Sequence, residues 1–333
     1  MSSNKRPRVD DAMSSTAMVL PTMAKSSTLA APNLSLTGHM AAVYGLSFSP
    51  TGSSLASCSF DKTILLWNVG MYCDNYNVLT GFKNAVTDVH WSKCGRDYIV
   101  AASADKTVQV FDGNSGTRMK RYTEHTGVVN SIAVTSDGNL VVSSSDDRTI
   151  RLHDIRVRGE VSKTTTSYQQ TALAMGGDDL TFYSAGIDNV VVGRDLRDSK
   201  DMATTFELKG HTDTVTGLAV SPDGTKLLSN GMDNALMEWD INPFCSGDRM
   251  VKMFRGHSHN AEKRLLRCSW SADGEMVSCG SADKIVRIWD EPTGEELYSL
   301  PGHKGGVQDV QFHPTMPVLA SASSDKTILL GEL

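Results

Sequence analysis

One aspartate returns seven times in nearly the same surroundings: "SFDKTILLW" at Asp61, "SADKTVQVF" at Asp105, "SDDRTIRLH" at Asp147, "GIDNVVVGR" at Asp188, "GMDNALMEW" at Asp233, "SADKIVRIW" at Asp283 and "SSDKTILLG" at Asp325. The successive intervals are 44, 42, 41, 45, 50 and 42 residues. A period of that length means that one supersecondary unit is built repeatedly, and such a unit cannot bury both of its faces alone. Residues 31–333 are therefore expected to form one domain.

Each unit reads the same way. An early Gly-His (Gly38-His39, Gly210-His211, Gly256-His257, Gly302-His303) precedes an apolar stretch such as "VTGLAV". A Gly-containing turn, a Ser/Ala-rich run, the Asp turn and a β-branched run follow, and a fourth run such as "RMKRY", "TTFEL", "VKMFR" or "ELYSL" leads to the next Gly-His. Runs of this length bounded by turn residues predict strands, and no 3.6-residue period is sustained anywhere. The unit is thus expected to be a four-stranded antiparallel sheet. Asp at the second turn supplies a short side chain that bonds its own backbone. The seventh unit has only three strands before the chain stops at Leu333. "APNLSL" (residues 31–36) stands just where a fourth strand precedes every other Gly-His, so it is predicted to pair with Thr327 to Leu330 and close a ring.

Four strands every 40–45 residues, with Gly-His early and Trp67-Asn68, Trp239-Asp240 and Trp289-Asp290 late, resemble the WD-repeat family. The fold this implies is all-β, a seven-bladed WD-repeat β-propeller whose last blade is completed by an N-terminal strand. In that family a His–Ser–Asp–Trp chain ties strands within a blade. The matching residues here are His39, Ser59, Asp61 and Trp67, and His257, Ser281, Asp283 and Trp289. Partial sets are Asp105; His125, Ser145 and Asp147; His211, Asp233 and Trp239; and His303, Ser323 and Asp325. On this alignment only units one and six are complete. Phe82 and Phe111, His153, Gly231 and Gly331 interrupt the others, and unit four has Arg194 for Trp, which makes it the least cross-linked. A repeated Ser/His/Asp set is a structural lock, since a nucleophile needs one strained, exposed position.

Other chemistry is sparse. Six cysteines show no C-x-x-C pairing and read as core residues in a reducing compartment. His257 and His259 lie two apart without a further ligand at metal spacing. There is no GxxxxGK[ST] and no strand-linked GxGxxG, so no cofactor is expected. No apolar run is long enough to cross a membrane as a helix and no secretion signal opens the chain, which predicts an intracellular protein.

Charge is unevenly spread. The net charge is −6. Residues 1–30, expected to be a disordered Ser/Thr-rich tail, carry a small excess of cations that includes a nuclear-import-like cluster, Lys5, Arg6 and Arg8. The remaining body is acidic, which argues against a duplex-binding surface while leaving room for a local basic patch. Two connections are enlarged, "DINPFCSGDRMVKMF" in unit five and "SHNAEKRLL" in unit six. Long loops on a rigid scaffold are candidate contact sites, and Glu262, Lys263 and Arg264 are singled out within the second.

Several stretches lie outside the shared repeat positions: "LLWNVGMYCDNY", "DTVTGLAVSPDGTKLLSNGMDN", "WDINPF", "HNAEKRLLRCSWSADG" and the terminal "GEL". They resemble the family of WD-repeat subunits of the U5 small nuclear ribonucleoprotein. The resemblance implies a nuclear, non-enzymatic scaffold acting in pre-mRNA splicing, held by the largest protein of that particle and other spliceosomal proteins, with any RNA contact indirect. Two alternatives make different demands on the central opening. Another nuclear adaptor, reading histone tails or serving a ubiquitin ligase, needs an acidic or aromatic pocket there; an enzyme needs an unrepeated polar cluster, which the sequence does not reveal.

Overall fold

The computed structural model describes residues 27–70, 73–93, 97–197, 202–245 and 247–333. Its strands form seven four-stranded antiparallel sheets, six of them from consecutive strands. The seventh takes β1 (Asn33–Thr37) from the start of the chain and sets it beside the last strand, Thr327–Glu332. The register runs from Asn33 opposite Gly331 to Thr37 opposite Thr327, so the short C-terminus is the counterpart of the N-terminal strand. The ring is closed by backbone pairing.

Burial follows the repeat. Seven apolar clusters each join residues of neighbouring blades, for example Leu36, Val318 and Leu330 of blade seven with Leu55, Leu65 and Trp67 of blade one. Leu29, fully buried, belongs to this cluster. The packed body therefore begins before the tail boundary expected at residue 30.

The Asp turns share one geometry. The residue after the aspartate has a left-handed backbone in every blade, from φ 58° at Asn234 to 74° at Lys326. Asn tolerates that region well, and Lys or Arg does so at a cost that the turn hydrogen bonds offset. In blade one the Asp61 carboxylate accepts from the Thr63 amide (3.0 Å) and hydroxyl (2.6 Å).

Each innermost strand leaves an unpaired edge facing the channel, and side chains of the neighbouring blade cap it. Asp309 accepts from the Leu46 amide (2.8 Å), Asp88 from the Ile132 amide (2.9 Å) and Ser131 from the Leu173 amide (3.3 Å). Asp88 and Asp309 each follow a β-bulge in their strand, the kind of irregularity that re-aims a side chain.

Candidate functional site

The side-chain networks form a different set from the sequence alignment. In blade one the central hydroxyl is Ser57, two residues before Ser59. Trp67 Nε1–H donates to Ser57 Oγ (2.9 Å), and His39 Nε2 lies 2.8 Å from the same oxygen. An indole only donates, so Ser57 turns its own hydrogen to His39 Nε2, which puts the imidazole proton on Nδ1, 2.8 Å from Asp61. Burial pushes the Asp61 carboxyl up, but donors from His39, Thr63 and the Met40 amide outweigh it and hold it well below the usual range.

The reason for the difference is distance along the strand. Residues two apart share a face but stand about 7 Å from each other, so Ser57 and Ser59 cannot both reach one imidazole. Ser57 lies level with His39 and Trp67, while Ser59 lies at the turn. There it accepts from the Asp61 amide (3.1 Å) and donates to the Ala41 carbonyl (3.2 Å). Ser145 and Ser323 likewise accept from the Asp147 and Asp325 amides, both at 3.2 Å.

With this register corrected, blade five is complete. His211 meets Asp233 (3.0 Å) and Ser229 (2.7 Å), and Trp239 donates to Ser229 (2.7 Å). Gly231 is no defect there, because the hydroxyl sits two residues earlier. Blade three joins His125 to Asp147 (2.9 Å) and Ser143 (2.9 Å), with His153 taking the Trp place at 3.0 Å from Ser143. Burial and the neighbouring His125 lower the His153 imidazole to about 3. Blade seven keeps His303 with Asp325 (3.2 Å) and Ser321 (2.8 Å) but has Gly331 for Trp. Blade two replaces the chain by packing, Phe82 against Phe111 at 5.7 Å, while Asp105 still accepts from the Lys83 amide (2.9 Å).

Blade six, expected to be complete, is broken. Cys279 occupies the position of Ser57, since both pair with the fourth residue after the turn aspartate, Arg287 and Leu65 respectively. Both ring nitrogens of His257 are buried without a partner. Asp283 pairs with Arg287 (2.6 Å) instead, and Ser281 accepts from the Ser258 amide (3.0 Å). Trp289 only packs against the imidazole, 6.2 Å between rings. In blade four Arg194 Nε reaches Ser184 Oγ at 3.4 Å, and Asp188 Oδ1 is buried without a partner.

The channel holds an unrepeated polar cluster that sequence reasoning missed. Arg267, entering from blade six, donates to the Asp88 carboxylate of blade two and to the Thr87 carbonyl (2.9 Å), and its Nη1 lies 4.0 Å from Asp309 of blade seven. It passes blade one at Gly45, where a Cβ would stand 2.9 Å from the guanidinium. Burial raises the Asp309 carboxyl to about 6 against the pull of Arg267. The signal was present as Asp88 and Asp309 at a position that is Gly45, Ser131, Ala172 and Gly217 in other blades. Arg267 donates to protein acceptors of blade two, so the arrangement is a brace across the ring, and a cavity of about 60 Å³ remains beside it, lined among others by Asp88, His90, Thr171, Arg267 and Gln311.

The two enlarged loops emerge on opposite faces. The blade-five connection lies opposite the Asp turns and exposes Phe244. The blade-six insertion lies on the Asp-turn face, where the His259 amide donates to Asn234 (2.6 Å). Within it Glu262 and Arg264 pair with each other (2.7 Å), and Lys263, at φ 47°, is exposed. No group of three metal-ligating side chains occurs among the described residues, and the rings of His257 and His259 stand 6.0 Å apart. Buried Cys58, Cys268 and Cys279 are free thiols whose pKa burial drives up. Lys5, Arg6 and Arg8 lie outside the described residues.

The pattern of the WD domain, G-beta repeat family matches residues 31–68, 74–112, 116–154, 202–240, 245–290 and 294–330, passing over blade four, where Arg194 stands in the Trp place. The chain is 43% identical over 310 residues to the U5 small nuclear ribonucleoprotein 40 kDa protein of Dictyostelium discoideum and 45% identical to that of Homo sapiens, each match covering 93% of this chain and 86% of the relative. It is 40% identical over 330 residues to the pre-mRNA-splicing factor cwf17 of Schizosaccharomyces pombe, covering 99% of this chain and 95% of the relative. The chain belongs to the WD-repeat family and, within it, to the U5 small nuclear ribonucleoprotein 40 kDa proteins.

Proposed function

We propose that this propeller is a non-enzymatic scaffold subunit of the U5 small nuclear ribonucleoprotein, working in the nucleus in pre-mRNA splicing and seated by protein contacts on the largest protein of the particle. The observation that carries the reading is likeness at 40–46% identity that runs through whole propellers, covering 93% or more of this chain and 86% or more of its splicing relatives. The same fold serves many functions, so the repeat alone does not choose among them. The geometry is consistent with a scaffold: the Ser/His/Asp sets are locked in turns, and the channel is braced.

The blade-six insertion is the proposed protein contact. Glu262 and Arg264 pair with each other within the loop, which leaves exposed Lys263 to meet a partner. The basic cluster Lys5, Arg6 and Arg8 is the proposed import signal. Affinity purification of the tagged chain from nuclear extract, with identification of bound proteins and small RNAs, tests the reading. Recovery of U5 components is expected, and recovery free of splicing components overturns it. Joint substitution of Glu262, Lys263 and Arg264 by Ala is expected to weaken that recovery; unchanged assembly removes the insertion from the contact.

A further inference from the structure

The acidic body hides a polarised charge distribution. In a four-stranded antiparallel blade the loop between the middle strands and the link to the next blade fall at the same end, so the Asp turns and the Gly-His entries share one face of the disc. The left-handed turn residue on that face is Lys62, Lys106, Arg148, Lys284 and Lys326 in blades one, two, three, six and seven, all exposed. Lys83 and Lys304, also exposed, stand on the same face in blades two and seven. Blades four and five have Asn189 and Asn234 at the turn, and the nearby Lys209 is tied to Glu207 (2.8 Å). The cations thus form an arc over five adjacent blades, interrupted on one side.

Each turn cation follows an aspartate, and in the sequence the two cancel. The structure separates them. The carboxylates of Asp61, Asp147, Asp283 and Asp325 are at most 28% exposed and accept hydrogen bonds or ion pairs within the blade, while the cations project into solvent. The opposite face carries an excess of acids, with Asp74, Asp137, Asp178, Asp223, Asp248, Asp273, Glu275 and Glu295 exposed in its loops against Lys93, Arg156, Arg158 and Arg197.

An exposed aromatic platform lies within the arc. Phe60, 55% exposed, sits between the Ser59 and Asp61 anchors and meets Tyr44 edge-on at 6.3 Å. The Arg264 guanidinium is near enough to Tyr44 to lower its phenol, against a larger upward push from burial. Met40, 81% exposed, adjoins them at the Gly-His entry of the same blade.

We infer that this arc is a binding surface for single-stranded RNA, with the backbone tracking the turn cations and a base stacking on Phe60. Point charges spread along a track with a stacking ring are what such a strand requires. Sheets packed about 10 Å apart space the cations so that a short strand spans several blades. A folded acidic protein is a poorer fit, because the recess on the arc between blades six and seven, lined by His259, Glu262, Arg264, Leu266 and Gln308, is only about 10 Å³ and cannot take up a partner's side chains. The acidic opposite face repels phosphate and fixes which side the strand takes.

The test uses the full-length protein and a fluorescein-labelled twelve-residue oligouridylate, read by anisotropy at several salt concentrations. Engagement of five cations predicts a slope of log K against log salt of about −3.5. Lys62→Asn, Lys106→Asn and Lys326→Asn together install the uncharged residue that blades four and five already carry in the same backbone, so the fold is kept. They are expected to reduce the slope to about −1.4, whereas Lys93→Asn on the opposite face leaves it unchanged. Phe60→Ala is expected to weaken binding at least about fivefold with the slope intact. Absence of salt-dependent binding, equal binding by the triple variant, equal weakening by Lys93→Asn, or displacement of the RNA by an equal concentration of a poly-glutamate peptide overturns the inference. Because only purified components are used, failure here is separate from failure of the splicing reading.

Discussion

Cys279→Ser is expected to stabilise the protein, although the change places a more polar group in a fully buried site. The four other blades with a histidine at the entry have serine at this register, and in each the hydroxyl meets the imidazole at 2.7–2.9 Å. In blade six the thiol donates to the Gly280 carbonyl and leaves both nitrogens of His257 unpaired. A satisfied buried hydrogen bond contributes about 0.5–1.5 kcal/mol, and an unsatisfied group costs about 1–3 kcal/mol. One new bond from the introduced hydroxyl to His257 Nε2 should therefore add about 1–2 kcal/mol. The Nδ1 side stays unpaired as long as Arg287 holds Asp283. Arg287→Leu, which copies Leu65 of blade one, frees that carboxylate, so the double variant should gain more than the two single changes combined. Such coupling is measured by a double-mutant cycle in urea unfolding, with hydrogen exchange of residues 257–259 as the local readout. If Cys279→Ser lowers the unfolding midpoint and the cycle shows no coupling, the unpaired imidazole is not a defect and the reasoning fails.

Three further outcomes are expected. Arg267→Met leaves Asp88 and Asp309 buried without their cation and should cost about 3–5 kcal/mol in chemical unfolding, most of it regained on adding Asp88→Asn and Asp309→Asn; equal stability of single and triple variants would remove the brace. Deleting residues 1–26 should leave the melting temperature unchanged, while deleting 1–37 removes β1, Leu29 and Leu36, with about 2–5 kcal/mol for each leucine, and should abolish cooperative melting or lower it steeply. On acidification the histidines act first: His153 (lowered to about 3) and His257 and His259 (lowered to about 4, burial first among the causes) refuse protons that the unfolded chain accepts near 6.5, so stability is full above that value and falls as pH drops through it toward 4. Asp233 and Asp325, held at about 2 by donors that overcome their burial, add a second loss between about pH 4 and 2. His153→Phe should make the fall in melting temperature between pH 7 and 5 shallower, with His257 and His259 supplying what remains, and leave the lower window alone.

What the sequence disclosed was what repeats. Blade number, strand order and the role of the N-terminal strand all follow from Asp turns and Gly-His pairs at a fixed period, because one local solution is reused and ring closure needs only that it be reused enough times. The internal networks were legible as residue types but misplaced by two positions. Ser57 and Ser59 lie on the same strand face and both are buried, so the local pattern "SCS" cannot say which hydroxyl meets the imidazole. Comparing blades would have helped: serine stands four residues before Asp61, Asp147, Asp233 and Asp325, and cysteine before Asp283. The channel cluster shows in the repeat only as acids out of line with the other blades, Asp88 and Asp309, and that Arg267 meets them appears only when the ring is closed.

Those departures in blade six are physically one feature. Lengthening the link after His257 lets the innermost strand begin late, and its ladder runs only from Cys268 to Trp270, where the corresponding strand of blade one has six residues. The freed backbone at Arg267 turns to blade seven, its amide donating to the Gln308 carbonyl (2.8 Å), while the Gly280 amide donates back to the Arg267 carbonyl (2.9 Å). That placement carries the side chain into the channel, and Gly45 supplies the room for it to reach Asp88. The ring thus gains a brace linking blades six, seven and two at the blade whose own network is broken. Shortening the insertion should then disturb Asp88 and Ser131 across the channel as much as the loop itself, and hydrogen exchange at Ile132, whose amide Asp88 holds, reports it. Protection at Ile132 unaffected by the shortened loop would separate the insertion from the brace.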